Sequence, residues 1–132
     1  MVPLVTVVGV GIDLVDLGRI RSLLADKGEQ AMSRMFSDNE RQYLATRTDA
    51  TGHAAARIAA KEAVYKAMQA LPGARGVGWR EIEVARDAQG RPAILLHGLA
   101  ARVSAEQGGL HIKISLTHSA VSAGAIAIVE AP

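Results

Sequence analysis

The chain opens on a valine-rich run, Val5 to Ile12, punctuated by Gly9 and Gly11. An apolar run of that length predicts a buried strand, and glycines inside it mark close approach of another backbone. Asp13 stands at its end. The period then changes. Leu17, Ile20, Leu23 and Leu24 recur at helical spacing, which predicts a helix over about 16–27 with Asp16 as its cap. Arg19 and Arg21 point away from that apolar stripe. Ser37-Asp38-Asn39-Glu40 has the form of a capping box and predicts a short helix to about Thr46. Ala54 to Leu71 reads as a long alanine-rich helix, stopped by Pro72-Gly73.

Ala70 to Gly78 carries three glycines and Arg75 and reads as a mobile loop. Ile82 and Val84 alternate with charged residues, Asp87-Ala88-Gln89-Gly90 is a turn signal, and Pro92 to Leu96 follows, so a hairpin is expected. Gly98 to Gln107 reads as another helix, stopped by Gly108-Gly109. Ile112, Ile114 and Leu116 alternate with Lys113, Ser115 and Thr117 along a strand, and Ala123 to Val129 is the last strand. No repeat, linker or low-complexity stretch interrupts this order. The pattern predicts one domain over residues 1–132, of the α+β class, with a mainly antiparallel sheet packed on a long central helix.

Composition narrows the picture. Hydrophobic residues make up 49% of the 132, but alanine supplies much of that, and aromatics are only 3%. A small domain with few large core residues is a candidate for completing its core by oligomerising. Cysteine is absent, so neither a disulfide framework nor a thiolate metal site is available, in keeping with a reducing cytoplasm. Pro3 and Asp13 break the opening apolar run, and no stretch reaches the roughly 18 apolar residues of a membrane span, so no membrane association is expected. The net charge of +2 suits an acidic protein partner or a polyphosphate. A nucleic-acid module would interleave aromatics with its basic residues. Here Phe36, Tyr43, Tyr65 and Trp79 are scattered, and no nucleic-acid partner is expected.

The candidate chemistry begins with Asp13. A carboxylate closing an apolar strand is either a cap or turn former, or a placed ligand, and the second role needs another carboxylate. Glu62 offers one. On its helix, Ala55, Ala59, Glu62 and Lys66 fall on one side, where small alanines admit close approach. Glu62 and Lys66 alone would also suit an ordinary surface pair. Arg57 and Lys61 share a side with Val64, Met68 and Leu71, so they either snorkel or meet an anion in a groove. Two carboxylates holding magnesium, ringed by Arg57, Lys61 and Lys66, would suit a pyrophosphate, because magnesium takes one or two carboxylates and fills its shell with water and phosphate oxygens. His118 ends a polar strand beside Ser115, Thr117 and Ser119, and is either structural or part of a site. It shows no zinc-ligand spacing with His53, His97 or His111.

Taken in order, Gly11-Ile12-Asp13-Leu14-Val15, Arg57-Ile58-Ala59-Ala60-Lys61-Glu62-Ala63 and Ser115-Leu116-Thr117-His118-Ser119 resemble the three signatures of the bacterial holo-acyl-carrier-protein synthases, which are 4′-phosphopantetheinyl transferases. Arg19-Ile20, Phe36-Ser37 and Gly90-Arg91-Pro92 add to the likeness, which covers nearly the whole chain. The resemblance implies the 4′-phosphopantetheinyl transferase-like fold. It implies an enzyme that moves phosphopantetheine from coenzyme A to a serine of apo-acyl carrier protein with Mg2+, releasing 3′,5′-ADP. It makes Asp13 and Glu62 the metal ligands. Lys66 would stand beside the phosphate and help the leaving group, His118 near the phosphates or the reacting hydroxyl, and Arg57 and Lys61 on the nucleotide's phosphates. Arg19, with Arg21 assisting, would dock the acidic recognition helix of the carrier. Either a water at the metal or Glu62 would take the serine proton. A homotrimer with sites at its subunit interfaces is implied as well. Two features depart from the family pattern. Ile58 replaces a common aromatic, and the loop Ala70 to Gly78 aligns poorly, so no adenine contact is assigned there. A catalytically silent subunit of the same fold, and a transferase serving a polyketide or peptide carrier, are the rival readings.

Overall fold

The computed structural model describes residues 4–132. Strand β1 (Thr6–Asp16) leads into helix α1 (Leu17–Met35), then α2 (Asp38–Ala45) and α3 (Thr51–Met68). After two 3₁₀ turns, Ala74–Gly76 and Trp79–Glu81, come β2 (Ile82–Arg86), β3 (Pro92–Leu96), α4 (Gly98–Glu106), β4 (His111–His118) and β5 (Ser122–Ala131). One antiparallel sheet has the order β1-β5-β4, and β2-β3 form the expected antiparallel hairpin. The α+β prediction with antiparallel pairing holds.

Helix α3 is buried among β1, β5, β2, β4 and α1, which is why it shows little amphipathic contrast. Its alanines Ala55, Ala59, Ala63 and Ala67 are buried, as are Ala123, Ala125 and Ala127 of β5. Small side chains on both sides let helix and sheet come close. The closest approach is at β1. A Cβ at Gly9 would overlap the carbonyl oxygen of Ala67, and one at Gly11 that of Ala63. The glycines therefore lay strand backbone directly on helix backbone.

Several boundaries differ from expectation, among them the end of α3, which stops at Met68 and not at Leu71. Helix α1 continues past Lys27 to Met35, because Ala31 is buried and Met32 and Met35 pack on the core. Gly28 does not stop it, as an interior helical glycine costs only about 1 kcal/mol. Strand β1 runs on to Asp16, so Asp13 lies inside the strand, opposite Ala125, and neither ends nor caps it. The cap is Asp16, whose Oδ1 accepts from the Gly18 amide at 3.0 Å. Helix α3 starts three residues early, at Thr51, whose amide donates to Asp49 Oδ1 at 3.0 Å.

Candidate active site

Successive residues of a strand face opposite ways, so Gly9, Gly11 and Asp13 share one face of β1. The glycines press that face onto α3, and Asp13 is carried against the same helix. There Lys66 donates to Asp13 Oδ1 and to the Ile12 carbonyl, each at 3.0 Å. Glu62 lies one helical turn before Lys66 and is half-buried. Burial pushes its carboxyl above the usual carboxylate range, the Asp13 charge adds to the push, and Lys66 opposes it. The structure thus brings together Asp13, Glu62 and Lys66. The cluster is two hard oxygen donors and one cation. Among the described residues no group of three or more His, Cys, Asp or Glu side chains is placed to hold a metal ion. Such a donor set fits a cation that takes two carboxylates and otherwise water and phosphate oxygens.

Arg57 and His118 meet elsewhere, around a hollow of about 410 Å3 also lined by Arg21, His53 and Arg86. The Arg57 guanidinium lies 4.1 Å from the centre of the Tyr43 ring, with those of Arg47 at 4.6 Å and Arg86 at 4.7 Å. Arg86 donates to the Tyr43 hydroxyl, which also lies 3.3 Å from His53 Nδ1. Burial, and then the surrounding arginines, hold His53 below the usual histidine range. Arg57 donates through Nη1 to the His53 carbonyl, while its buried Nε has no protein partner. Positive charge concentrated in a hollow suits a phosphate. Arg19 and Arg21 are exposed on α1.

Lys61 corrects the expectation. Its ammonium donates to Glu40 Oε1 at 2.7 Å, the Trp79 carbonyl at 2.8 Å and the Ile82 carbonyl at 2.6 Å. An ammonium has three N–H donors, and all are used, so none remains for a phosphate. The anion that Lys61 meets is the protein's own. Glu40 also accepts from the Ser37 amide at 2.9 Å and the Val84 amide at 3.0 Å. Burial pushes the Lys61 amine below the usual lysine range.

Sequence reasoning missed the Tyr43 cluster, because its arginines come from a loop, a helix and a hairpin with no common spacing. It also missed how the 70–78 segment is held. The Tyr65 hydroxyl donates to the Arg75 carbonyl at 2.8 Å, Gln69 to the Ala74 carbonyl at 3.1 Å, and Ala74 and Val77 are buried. Glycine content signalled freedom there, and its spacing carries no sign of these tertiary bonds.

Residues 9–127 match the family model of the 4′-phosphopantetheinyl transferase superfamily. A holo-(acyl-carrier-protein) synthase of Trichlorobacter lovleyi is 38% identical over 96% of this chain and 99% of its own. That of Desulforudis audaxviator is 39% identical over 96% and 95%. Among solved structures, the Bacillus anthracis holo-(acyl-carrier-protein) synthase in complex with CoA (3′,5′-ADP) superposes with a TM-score of 0.77 at 30% identity, covering 96% of this chain and 98% of its own. The Mycobacterium tuberculosis acyl carrier protein synthase does so with 0.71 at 37%, covering 96% and 100%. With the family model matched over residues 9–127 and relatives 38–39% identical over nearly the whole chain, the chain belongs to the 4′-phosphopantetheinyl transferase superfamily, and within it to the holo-(acyl-carrier-protein) synthases.

Proposed function

We propose that this enzyme transfers 4′-phosphopantetheine from coenzyme A to a serine of apo-acyl carrier protein, with Mg2+, and releases 3′,5′-ADP. The observation that carries the reading is the juxtaposition of Asp13, Glu62 and Lys66 on the β1–α3 contact. Asp13 and Glu62 would hold the ion. When bound, it supplies positive charge to the pyrophosphate on both sides of the bond that breaks. Lys66 is half-exposed with its ammonium at the carboxylates, so it can donate to the phosphate oxygen that leaves. The cationic hollow of Arg57 and His118 would take the nucleotide's phosphates, as binding of CoA (3′,5′-ADP) by the Bacillus anthracis relative supports. The serine proton would pass to water or to Glu62. Exposed Arg19 and Arg21 on α1 would meet the acidic carrier.

The reading extends to residues 1–132 acting as one domain, in the cytoplasm, in fatty-acid synthesis. Among the described residues no helix is long and apolar enough to cross a membrane. It also extends to a homotrimer. The outward residues of β1, Val10, Ile12 and Leu14, are 61%, 70% and 74% exposed, and Ile126 of β5 lies opposite Ile12. Apolar side chains in that row favour burial against another copy. Sedimentation equilibrium should return three chains for the native protein and fewer for Val10→Glu, and a native monomer would refute the trimer.

The activity is tested by intact-mass spectrometry of apo-acyl carrier protein incubated with enzyme, coenzyme A and Mg2+. The expected result is a carrier heavier by one phosphopantetheine, lost with EDTA and restored by excess Mg2+. Loading that persists in EDTA would remove the metal from the reading. No loading of any apo carrier would favour a silent subunit.

A further inference from the structure

The hollow that holds Arg57 and His118 has an aromatic support outside its own wall. Tyr43, half-buried on α2, does not line the space, yet the guanidiniums of Arg47, Arg57 and Arg86 all lie within 4.7 Å of its ring centre. Arg57 and Arg86 are wall residues as well. Three like charges gathered so closely repel one another, and a carboxylate is the common remedy. None is supplied. Among the described residues, no carboxylate forms an ion pair with Arg47, Arg57 or Arg86. Asp49 is the only acid on the wall, and its Oδ1 accepts from the Thr51 amide at 3.0 Å.

The ring stands in for a counterion. It attracts guanidinium groups through its quadrupole but carries no net charge. The arginines are thereby gathered without being neutralised. The hydroxyl adds direction. Arg86 can only donate to it, so the one proton of the phenol is left for His53 Nδ1, 3.3 Å away. An arginine paired with a carboxylate must give that partner up before it meets a phosphate, whereas these can fork onto one directly. We propose that Tyr43 is a positioning residue for donor binding: its ring and hydroxyl hold Arg57 and Arg86 in place for a phosphate group of the nucleotide while leaving their charge available. Tyr43 reaches the ligand only through those arginines, so it acts on binding and not on the bond that breaks. The inference rests on the reading above that this hollow takes the nucleotide's phosphates.

Tyr43→Leu removes ring and hydroxyl, and Tyr43→Phe removes the hydroxyl alone. Calorimetry with 3′,5′-ADP should show Kd raised about tenfold by Tyr43→Leu and about threefold or less by Tyr43→Phe, which keeps the ring. KM for coenzyme A should rise in the same order, while kcat stays within about twofold of the wild type. A merely structural role would lower the folded fraction and leave the Kd and KM of the folded protein alone, and a thermal melt beside the assays reads that part. Tyr43→Glu separates order from charge. A carboxylate there should hold the arginines and keep the melting temperature, but it cancels part of their charge, so affinity for 3′,5′-ADP should fall at least as far as in Tyr43→Leu. Wild-type affinity in Tyr43→Leu or Tyr43→Glu, or a lower kcat with KM unchanged, would overturn the assignment. The transferase reading then survives as long as the wild type loads a carrier. If the wild type binds no 3′,5′-ADP and loads no carrier, both fall together.

Discussion

Glu62→Gln is expected to lower the rate of carrier loading by about 10²–10³-fold or more, while the melting temperature holds or rises. The substitution keeps the size of the side chain and removes one of two charges that would hold the cation. Its effect on stability follows from the carboxyl's raised pKa. Burial and the Asp13 charge make ionised Glu62 less favourable in the folded chain than in the unfolded one. Above that raised pKa the ionised group costs stability; the cost fades as pH falls through it and is gone only below the carboxyl's unfolded value. A neutral amide removes the cost at every pH. Initial rates against Mg2+ concentration, with a thermal melt beside them, read both quantities. Normal turnover by the variant would take Glu62 out of the site.

Its neighbour behaves in the opposite way. Lys61→Met is expected to destabilise the fold by about 3–5 kcal/mol, because it leaves Glu40 buried without its countercharge. Turnover of the folded fraction at saturating donor should stay near that of the wild type. Adding Glu40→Gln, which removes the stranded charge although its one oxygen can accept from only one of the Ser37 and Val84 amides, should restore part of the loss. Urea unfolding measures the stability, and rates taken well below the transition measure the chemistry. A phosphate-binding lysine would give the reverse: an intact fold and a raised KM for coenzyme A. Residues 61 and 62 are adjacent in sequence but differ by 100° around the helix, so one faces the protein's own carboxylate and the other faces the site.

That pair shows what a sequence can and cannot convey here. The Ser37 to Glu40 capping box was legible because its geometry is local, and both of its bonds are present. The hairpin and the antiparallel class were legible from period and turn residues. The carboxylate pair was legible from Asp13 at the close of the opening apolar run and Glu62 on the small-residue side of a helix, while the shared face of Gly9, Gly11 and Asp13 emerged only from the strand's true extent. The partner of Lys61 was not. Glu40 already had a local role as the capping acid, and nothing in its spacing says that the same carboxylate turns inward to a lysine on another helix. The arginine cluster on Tyr43 is likewise a product of tertiary meeting, invisible to any periodicity. The overrun of α1 beyond Lys27 is of the same kind, since burial of Ala31 outweighs the weak helical preference of Gly28.

The pairing of β1 with β5 has a consequence for how the molecule is made. Thr6 lies opposite Ala131 and Asp16 opposite Ser122, so the first strand waits for the last before it has any ladder partner, with α1 through β4 synthesised between them. A chain emerging from the ribosome N-terminus first must therefore carry Val7, Val10, Ile12 and Leu14 through most of its own translation with no strand beside them. Domains that close on such distant contacts fold slowly and lean on chaperones while the edge is open. Because Asp13 rides on that strand, no chain cut short before β5 holds its carboxylate in the finished sheet. The site is completed only as the sheet is.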